Sequence, residues 1–482
     1  MAIESTQAAT MTVSELLGKL ENSRLTANHY KLIITAMLGD MLEFFDYWII
    51  GFILAFIVIP WKLSFGATAV VLLSAGVGSL IGAFFFGHLA DRIGRIPVLM
   101  ICTVTFTVPS GIMYWTPEGS WMFLAFFRLV VGLGVGGLYA VDLPLVQEFV
   151  PTKYRAIIGG IVTALIPAGS LLGGVCAAYL TPAIGWRGLF LIGLIPAVLS
   201  LGFRFWMRES PRWLIKQGRY RDAVNSINWV TGLNLDYRNL VVTAADTAQE
   251  KRATFTEIFQ CRRSVAVTWT TGFMQALMDY GFTLWGPTLL ALVLKVPAAK
   301  AAKMFIFVAI SSIIAKFTWP FLAEKFGRRP CGMAVGIGAF ITCLIIANYW
   351  SARWGNVPVI FVAFLAVFAF IGGGWAITGP YATEVWPQRL RATGMGSAYG
   401  IAGLGRIVGP FVLSLFAGAG TVVSPKATTG AIGPTYVFYA ICGLVLSAAY
   451  YFGIETKDKS IAEIEALVLP VRTGPFRERE RD

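Results

Sequence analysis

The chain has 482 residues, of which 56% are hydrophobic and only 13% are charged, and its formal net charge is +13. Soluble domains carry about 25% charged residues, so this composition excludes a soluble globular protein and indicates a polytopic membrane protein. The positive charge lies in loops and tails without a nucleic-acid-binding motif, which excludes a nucleic-acid partner.

Apolar runs separated by polar breaks predict twelve membrane-spanning helices. The first six predicted spans are 32–59, 68–90, 98–115, 121–141, 157–180 and 189–206. A stretch rich in Arg, Lys, Asp and Gln follows, at 207–263, and is too polar to cross a bilayer. The last six predicted spans are 265–290, 304–322, 333–350, 357–381, 394–417 and 436–452.

This pattern divides the chain into five parts. They are an N-terminal tail (1–31), an N-terminal six-helix bundle (32–206), a linker (207–263), a C-terminal six-helix bundle (264–453) and a C-terminal tail (454–482). Lys and Arg are concentrated in the linker and in the loops on the side of the two termini, and positive loops stay in the cytoplasm. We therefore expect a multi-pass protein of the plasma (inner) membrane with both termini cytoplasmic.

The first predicted span is unusual because it carries three carboxylates. Asp40, Glu43 and Asp46 follow one another at three-residue intervals, which places them on one broad face of a helix. A single charge at the bilayer centre costs at least ~2.5–3.5 kcal/mol on insertion scales, so the three carboxylates need partners, water or protons. This helix is expected to face the protein interior or an aqueous cavity.

Two short motifs occur twice, once in each predicted bundle. The loop at 87–97, which contains Asp-Arg-x-Gly-Arg, is repeated at 321–330. The pattern Glu-x-x-Pro-x-x-x-Arg runs from Glu148 to Arg155 and again from Glu384 to Arg391. The offsets are nearly equal, which indicates two duplicated halves, and parallel halves of this kind place the substrate site near the midplane at their interface.

These motifs resemble those of the major facilitator superfamily over essentially the whole chain. The loop at 87–95 matches the superfamily's G-x-x-x-D-R-x-G-R signature, and its second copy makes the match more specific. Similarity to the sugar-porter and organic-ion branches lies in Arg128-x-x-x-Gly132-x-Gly134, in the two Glu-x-x-Pro-x-x-x-Arg copies and in Glu209-Ser210-Pro211-Arg212-Trp213-Leu214. The resemblance implies an all-α membrane protein with twelve transmembrane helices in two six-helix pseudo-symmetric halves, working by alternating access.

Some stretches are similar to particular branches. The stretch 381–387, continued through Arg391 and 394–396 to Arg406 and Pro410, is similar to organic-ion and nicotinate-type transporters. Phe45-Asp46 with Gly51 fits the first-span pattern of proton-coupled sugar and aromatic-acid symporters. In span seven the chain reads QALMDYG at 275–281, where sugar porters carry a polar Gln/Asn series, and Asp142 is a further acidic departure. Both departures argue against a sugar substrate.

Asp46 and Arg128 are the predicted proton-coupling pair. Asp46 lies about fifteen residues, or roughly 22 Å, from the cytoplasmic start of its span. Arg128 lies about eight residues, or roughly 12 Å, from the outer end of span four. In a hydrocarbon core of ~30 Å these depths nearly meet. A carboxylate that pairs with Arg when deprotonated and releases it when protonated can act as a coupling switch, whereas the alternative is a purely structural ion pair. Glu43, also assigned to proton coupling, and Asp40 are weaker candidates for a direct role, and the alternative for both is a solvated or inter-helix hydrogen-bonding carboxylate.

Arg406 is the leading candidate for substrate recognition because it lies about fourteen residues into span eleven, near the midplane. Its planar guanidinium suits bidentate binding of a carboxylate, although it could instead neutralise Asp279. The other predicted substrate-binding residues are Gln275, Asp279, Tyr280, Lys316, Asp142, Trp375 and Tyr399. Trp285 and Trp319 could also stack on a ring, but most aromatic side chains in spans pack or face lipid.

The duplicated loops are predicted to form a cytoplasmic gate rather than a binding site. Asp91, at the end of the second span, can cap the start of a neighbouring helix and pair with loop arginines. The predicted gate residues are Gly87, Asp91, Arg92, Gly94, Arg95, Glu148, Arg155, Glu324, Arg328, Glu384 and Arg391.

Other classes of chemistry find little support in the sequence. The six cysteines and two histidines show no metal-ligand spacing. The G-x-G-x-x-G pattern at 132–137 has no preceding strand, so we interpret it as close helix packing. No phosphate-binding G-x-x-x-x-G-K-[S/T] loop occurs, so ATP is not the expected energy source, and no nucleophile–base constellation indicates an enzyme.

The sequence therefore predicts a secondary transporter with no cofactor, driven by the proton gradient. We expect symport of a small organic anion, with aromatic or pyridine carboxylates as the leading class. The alternatives are an organic cation or zwitterion, a sugar, and a transporter-like membrane sensor. The expected partners are the small-molecule substrate, protons and the lipid bilayer, and the protein is expected to be monomeric.

Overall fold

The computed structural model describes residues 11–242, 254–459 and 461–468. The rest of the predicted tails and linker lies outside the described residues. Within them the regular secondary structure is helical apart from two pairs of two-residue strands. Strands β1 (Met11–Thr12) and β2 (Leu240–Val241) pair in parallel, and β3 (Arg353–Trp354) and β4 (Val357–Pro358) pair antiparallel.

The helices divide into groups before, within and after the linker. The first group is α1 (Val13–Glu21), α2 (Ala27–Ile57), α3 (Phe65–Ile93), α4 (Arg95–Ile112), α5 (Trp121–Phe149), α6 (Arg155–Ala164), α7 (Ile166–Val175) and α8 (Thr181–Arg204). The linker contains α9 (Pro211–Lys216) and α10 (Tyr220–Thr231). The last group is α11 (Arg262–Leu294), α12 (Ala298–Phe326), α13 (Arg328–Tyr349), α14 (Val359–Glu384), α15 (Arg391–Ala417), α16 (Pro425–Phe452) and α17 (Ile461–Val468).

Ten helical segments of the described chain are long and apolar enough to cross a membrane. One of them, Ile166–Leu194, runs through Gly185, whose φ of +71° breaks the helix and separates predicted spans five and six. Helix α2 falls outside the ten because every eighteen-residue stretch of it contains at least three charged residues. With α2 included and the break at Gly185 counted, the helices account for the twelve predicted spans.

The predicted span boundaries are less accurate than the spans themselves. Span twelve was expected to begin at residue 436, but α16 begins at Pro425, where the Ser424 hydroxyl accepts a hydrogen bond from the Ala427 amide at 3.3 Å. Helix α3 likewise begins before its apolar run, with Ser64 as its N-cap. Capping groups and polar end turns let a helix continue beyond the apolar stretch that hydropathy detects.

The two groups of membrane helices pack by the same scheme. The most extensive contacts before the linker join α3 to α5, and after it α12 to α14, α11 to α15 and α13 to α16. Between the groups, α2 packs on α11, α3 on α15 and α7 on α12. Small residues allow the closest approaches, because a Cβ at Gly132 would lie 2.1 Å from the Ala75 carbonyl oxygen. This contact supports the packing interpretation of the G-x-G-x-x-G pattern.

The two ends of the bundle differ in how the halves meet. We call the end that carries the 87–97 and 321–330 loops the linker end, and the opposite end the far end. At the far end, main-chain bonds join the halves: Val423 N–H to Leu63 O (2.8 Å), Phe65 N–H to Thr421 O (2.9 Å) and Gly66 N–H to Ala419 O (2.8 Å).

Burial along the two central helices changes between these ends. Helix α2 is buried on all sides at 43–54, and α11 is buried on all sides at 275–292. Nearer the linker end one face of each helix is only half-buried, at Met37 and Met41 of α2 and at Phe273 and Met274 of α11. The halves are therefore in close contact at the far end and more open toward the linker end.

Candidate functional site

Asp46 of α2 and Arg128 of α5 form a buried ion pair. Asp46 Oδ2 lies 3.7 Å from Arg128 Nη1, and the Ser110 hydroxyl of α4 donates to Asp46 Oδ1 at 2.7 Å. Arg128 also donates to the main-chain carbonyls of Asp46 (2.7 Å) and Tyr47 (2.6 Å). Both charged side chains are at most 2% exposed, so the charge of one depends on the charge of the other.

Three further carboxylates meet one another between the same two helices. Asp40 and Glu43 of α2 and Asp142 of α5 are buried, and their carboxylate oxygens lie within 4.8 Å of one another. Like charges this close repel strongly away from water, so the three groups cannot all be ionised at once unless a cation joins them. The structure thus groups Asp142, a predicted substrate-binding residue, with the two other acids of the first span.

Arg406 of α15 lies among tyrosines contributed by both halves. Its guanidinium carbon is 5.3 Å from the ring centre of Tyr280 (α11) and 6.0 Å from that of Tyr139 (α5). Tyr47 of α2 packs edge-on against Tyr280 at 5.5 Å, and Tyr399 packs against Tyr139 at 5.7 Å. Such ring faces attract a cation without using its hydrogen-bond donors.

Arg406 has no acidic partner among the residues that the structure describes. No carboxylate of the described chain lies within 4.0 Å of its guanidinium nitrogens, and its Nε is buried without a hydrogen-bond acceptor. The Asp279 carboxylate instead accepts hydrogen bonds from Trp375 Nε1–H at 2.9 Å and from the Thr283 hydroxyl at 3.4 Å. Lys316 and Arg406 act on Asp279 only as more distant charges. The guanidinium of Arg406 is therefore available to an anion from outside the chain.

One predicted binding residue, Gln275, and the two tryptophans considered for stacking, Trp285 and Trp319, connect helices of the second half. The Gln275 amide donates to the Ile371 carbonyl of α14. Trp285 donates to the Pro410 carbonyl at 2.7 Å, and Trp319 donates to the Ala369 carbonyl at 2.9 Å. These contacts give the three side chains packing roles between neighbouring helices.

The predicted gate residues form one ion-pair cluster in each half. Arg95 is 2.8 Å from Asp91 and 3.3 Å from Glu148. In the second half Arg328 is 2.8 Å from Glu324 and 3.5 Å from Glu384. Arg155 donates to the Val150 carbonyl at 3.1 Å and lies 3.8 Å from Glu21. Arg92 and Arg391 form no ion pair within 4.0 Å in the part of the chain that is described.

Two glutamates that were not predicted as gate residues complete these clusters. Glu209 accepts from the amides of Arg95 (2.9 Å) and Ile96 (3.1 Å), and Glu455 accepts from those of Arg328 (2.9 Å) and Arg329 (3.0 Å). Glu209 therefore caps the start of α4, and Asp91 forms the expected salt bridge with a loop arginine, Arg95. Glu209 belongs to the stretch Glu209-Ser210-Pro211-Arg212-Trp213-Leu214. The sequence did contain a signal for both residues, because a Glu follows the last span of each half.

The glycine before each capped helix fits this arrangement. Gly94 and Gly327 have φ of +107° and +104°, in the left-handed region that favours glycine. A Cβ at either position would lie 2.4 or 2.5 Å from the capping carboxylate of Glu209 or Glu455. At Gly87, by contrast, the nearest atom to an added Cβ is 3.9 Å away, so this conformation does not require glycine there.

Comparison with known proteins finds relatives that transport different small molecules. The chain is 26% identical over 408 residues to the niacin transporter NiaP of Acinetobacter baylyi, covering 83% of this chain and 90% of that protein. It is 26% identical over 431 residues to the cis,cis-muconate transport protein of the same organism, with coverages of 88% and 95%. The glucose transporter GlcP of Staphylococcus epidermidis is 25% identical over 456 residues, with coverages of 93% and 99%.

Solved structures share the fold at lower sequence identity. The xylose transporter XylE from E. coli, in a partially occluded inward open conformation, matches with a TM-score of 0.70 at 20% identity, covering 90% of this chain and 100% of that one. A bacterial homologue of the human lysosomal transporter Spinster matches with a TM-score of 0.62 at 18% identity, with coverages of 89% and 97%. These matches confirm the predicted all-helical, twelve-span fold.

The family model described as "Sugar (and other) transporter" matches residues 32–468, which is most of the chain. The predicted resemblance is thereby confirmed, and the prediction of a transporter rather than an enzyme holds. The protein belongs to the sugar (and other) transporter family of the major facilitator superfamily, and is a multi-pass secondary transporter of a small molecule.

Proposed function

We propose that this protein is a proton-coupled symporter of a small organic anion, with aromatic and pyridine carboxylates as its substrate class. In this proposal it acts as a monomer in the plasma (inner) membrane, with both termini and the linker end facing the cytoplasm. The observation that carries the proposal is Arg406, a cation inside the helix bundle that lies over two tyrosine rings and has no carboxylate partner in the described chain.

The surroundings of Arg406 suit a ring that bears a carboxylate. A partly buried cation without a counter-ion loses part of its hydration, and a ring face returns only about 0.5–2 kcal/mol. A bidentate carboxylate supplies two charge-assisted hydrogen bonds and the missing negative charge. The tyrosine faces beside it, at Tyr280 and Tyr139, offer stacking surface to an aromatic ring. A neutral sugar would leave the guanidinium charge unbalanced.

Asp46 supports the proton-coupling part of the proposal. Its carboxylate is the charge partner of Arg128 in a site that is almost completely buried. Protonation of Asp46 would remove that partner and weaken the hold of α2 on α5, which couples proton binding to helix movement. Deprotonation would restore the pair. The proton would therefore bind and leave in step with the conformational change.

The names of two relatives agree with an acidic substrate. Niacin is a pyridine carboxylate and muconate is a dicarboxylate, and both named transporters cover most of this chain. The glucose transporter GlcP is related at a similar sequence identity, so relatedness at this level does not identify the substrate. Arg406 is therefore the feature that favours an anion over a sugar.

A zwitterion is the second candidate because of the acidic cluster. Asp40, Glu43 and Asp142 bring three buried carboxylates together near the centre of the first half. An amine could lie near this cluster while a carboxylate binds Arg406. A ligand panel of aromatic acids, amino acids, amines and sugars, read by thermal shift of the purified protein, separates these classes because a true ligand raises the melting temperature.

Arg406→Lys tests the proposal, because it keeps the charge and loses the planar fork. We expect binding of the acid ligand to weaken at least tenfold, or about 1.4 kcal/mol, while the neutral amide of the same acid binds nearly as before. Binding is measured by titration of purified protein. Arg187→Lys is the matched control, since Arg187 also lies over an aromatic ring, that of Trp186 at 4.3 Å, but at the far end. Equal losses for acid and amide would remove Arg406 from the carboxylate site.

A further inference from the structure

Tyr139 and Tyr399 face each other across the two halves. The Tyr139 hydroxyl of α5 donates to the Tyr399 hydroxyl of α15 with an O–O distance of 3.2 Å, and the ring centres are 5.7 Å apart. Phe44 of α2 packs edge-on against Tyr139 at 6.4 Å. This contact joins the halves through side chains, whereas the far end is joined by main-chain bonds.

The tyrosine pair lies between Arg406 and the linker end. Helix α15 begins at the linker end with Arg391, and Tyr399 comes seven residues before Arg406. At 1.5 Å per residue this separation is about 10 Å along the helix axis. On the other side of Arg406, Tyr280 packs against Tyr47 in the direction of the far end.

Burial differs between these two tyrosine pairs. Tyr47 is 1% exposed and Tyr280 is 4% exposed, so the pair toward the far end is dry. Tyr139 and Tyr399 are only half-buried, although they contact each other. The partial exposure of Tyr139 and Tyr399 fits a position that faces the more open linker end, with Arg406 beyond them.

We propose that Tyr139 and Tyr399 are the gate that closes the Arg406 site on its linker side. Opening the gate requires that the hydrogen bond between the Tyr139 and Tyr399 hydroxyls breaks and that the two rings move apart. Because Tyr139 also contacts Arg406, a carboxylate that binds Arg406 changes the surroundings of one gate residue directly. Only this coupling to the ligand depends on the proposed function, since the gate itself is independent of which substrate is carried.

The experiment measures access to a cysteine placed behind the gate. In Thr283→Cys the new side chain is close in size to threonine, and position 283 lies one turn beyond Tyr280 toward the far end. This position is buried, so its labelling is slow until the region behind the gate becomes accessible. The six native cysteines are buried, so protein without the reporter gives the labelling background. Purified full-length protein is treated with a small methanethiosulfonate reagent, and the labelling rate is followed by mass spectrometry.

Removing either gate hydroxyl should raise the labelling rate. We expect Tyr139→Phe and Tyr399→Phe each to increase it about fivefold, the change that one net hydrogen bond provides, and the double variant to increase it no further. Tyr399→Ala removes the ring as well and should give the largest increase. Tyr450→Phe is the matched control, because the Tyr450 hydroxyl bonds that of Thr378 at 2.9 Å inside the second half, and it should leave the rate unchanged.

The outcomes separate the gate from the substrate assignment. Labelling that stays at the wild-type rate in Tyr399→Ala and both Phe variants would overturn the gate, as would an equal increase in Tyr450→Phe. A saturating aromatic acid should slow labelling of the reporter when the gate is intact. If no acid protects the reporter while the tyrosine variants still speed labelling, the gate stands and the anion assignment fails.

Discussion

Arg128 and Arg406 are both arginines inside the helix bundle, but their surroundings differ. Arg128 is fully buried, and it is held by the Asp46 carboxylate and by two main-chain carbonyls. Arg406 is half-buried, lies over two tyrosine rings and has no carboxylate partner in the described chain. The two Nη groups of Arg128 donate within its own half, whereas Arg406 makes no hydrogen bond to the described residues, and the Nε of each arginine is buried without an acceptor there.

This difference separates a residue that holds helices from one that can receive a ligand. Removing the first leaves a buried carboxylate without its cation, whereas removing the second takes away a charge that the protein compensates poorly by itself. Stability and binding should therefore respond in opposite ways at the two positions.

The largest effect is expected from replacing each arginine by methionine. Arg128→Met should destabilise the protein by about 3–5 kcal/mol, because Asp46 is left buried and unpaired, while Arg406→Met should leave stability unchanged or raise it. Thermal unfolding of the purified variants measures both. Adding Asp46→Asn to Arg128→Met should recover most of the loss. A large loss in Arg406→Met alone would mean that Arg406 is structural.

The next effect concerns transport rather than stability. Asp46→Asn keeps the side-chain shape but cannot titrate, so we expect it to abolish accumulation driven by a pH gradient while substrate exchange remains measurable. Proteoliposomes with an imposed gradient and a labelled ligand provide both readings. The exposed Asp222, changed to Asn, is the control. If accumulation by Asp46→Asn still depended on pH, Glu43 or Asp279 would be the proton site instead.

The smallest effect is expected at Ser110. Its hydroxyl donates to Asp46 Oδ1 and stabilises the charged carboxylate, so Ser110→Ala should favour proton binding. The pH of half-maximal accumulation should rise by up to about one unit, which corresponds to ~1.4 kcal/mol. Ser170→Ala is the control, because the Ser170 hydroxyl is buried without a hydrogen-bond partner in the described chain. An unchanged or lowered profile in Ser110→Ala would argue against Asp46 as the titrating group.

Positions along a helix could be predicted from the sequence better than positions around it. The depth of Asp46 and that of Arg128 follow from the rise per residue, and the two side chains do meet in the structure. The direction in which Gln275 points depends on the packing of α11 against α14, which hydropathy does not report. The predicted spans agree with helices, but their ends do not, because capping residues such as Ser424 are polar.

The tyrosines around Arg406 show a second limit. Tyr280 and Tyr399 were among the predicted binding residues, but Tyr139 was not, because aromatic residues in spans usually pack or face lipid. Its importance depends on the approach of α5 to α15 across the two halves. Glu209 and Glu455 were missed for a similar reason, since each lies far along the chain from the helix that it caps.

The main-chain bonds at the far end also affect how this region can change during evolution. Any residue except proline supplies the amide that Phe65 and Val423 donate, so the hydrogen bonds themselves do not specify a side chain. The side chains are specified separately, because Phe65 is fully buried beside Trp285 and Val423 is also buried. At Gly66 a Cβ would lie 2.8 Å from the Ala419 carbonyl oxygen. Selection on the hydrogen bonds alone would exclude proline and preserve loop length, whereas selection on packing would keep positions 65 and 423 apolar. Covariation between the two loops would therefore report their side-chain packing and not the main-chain bonds that join the halves.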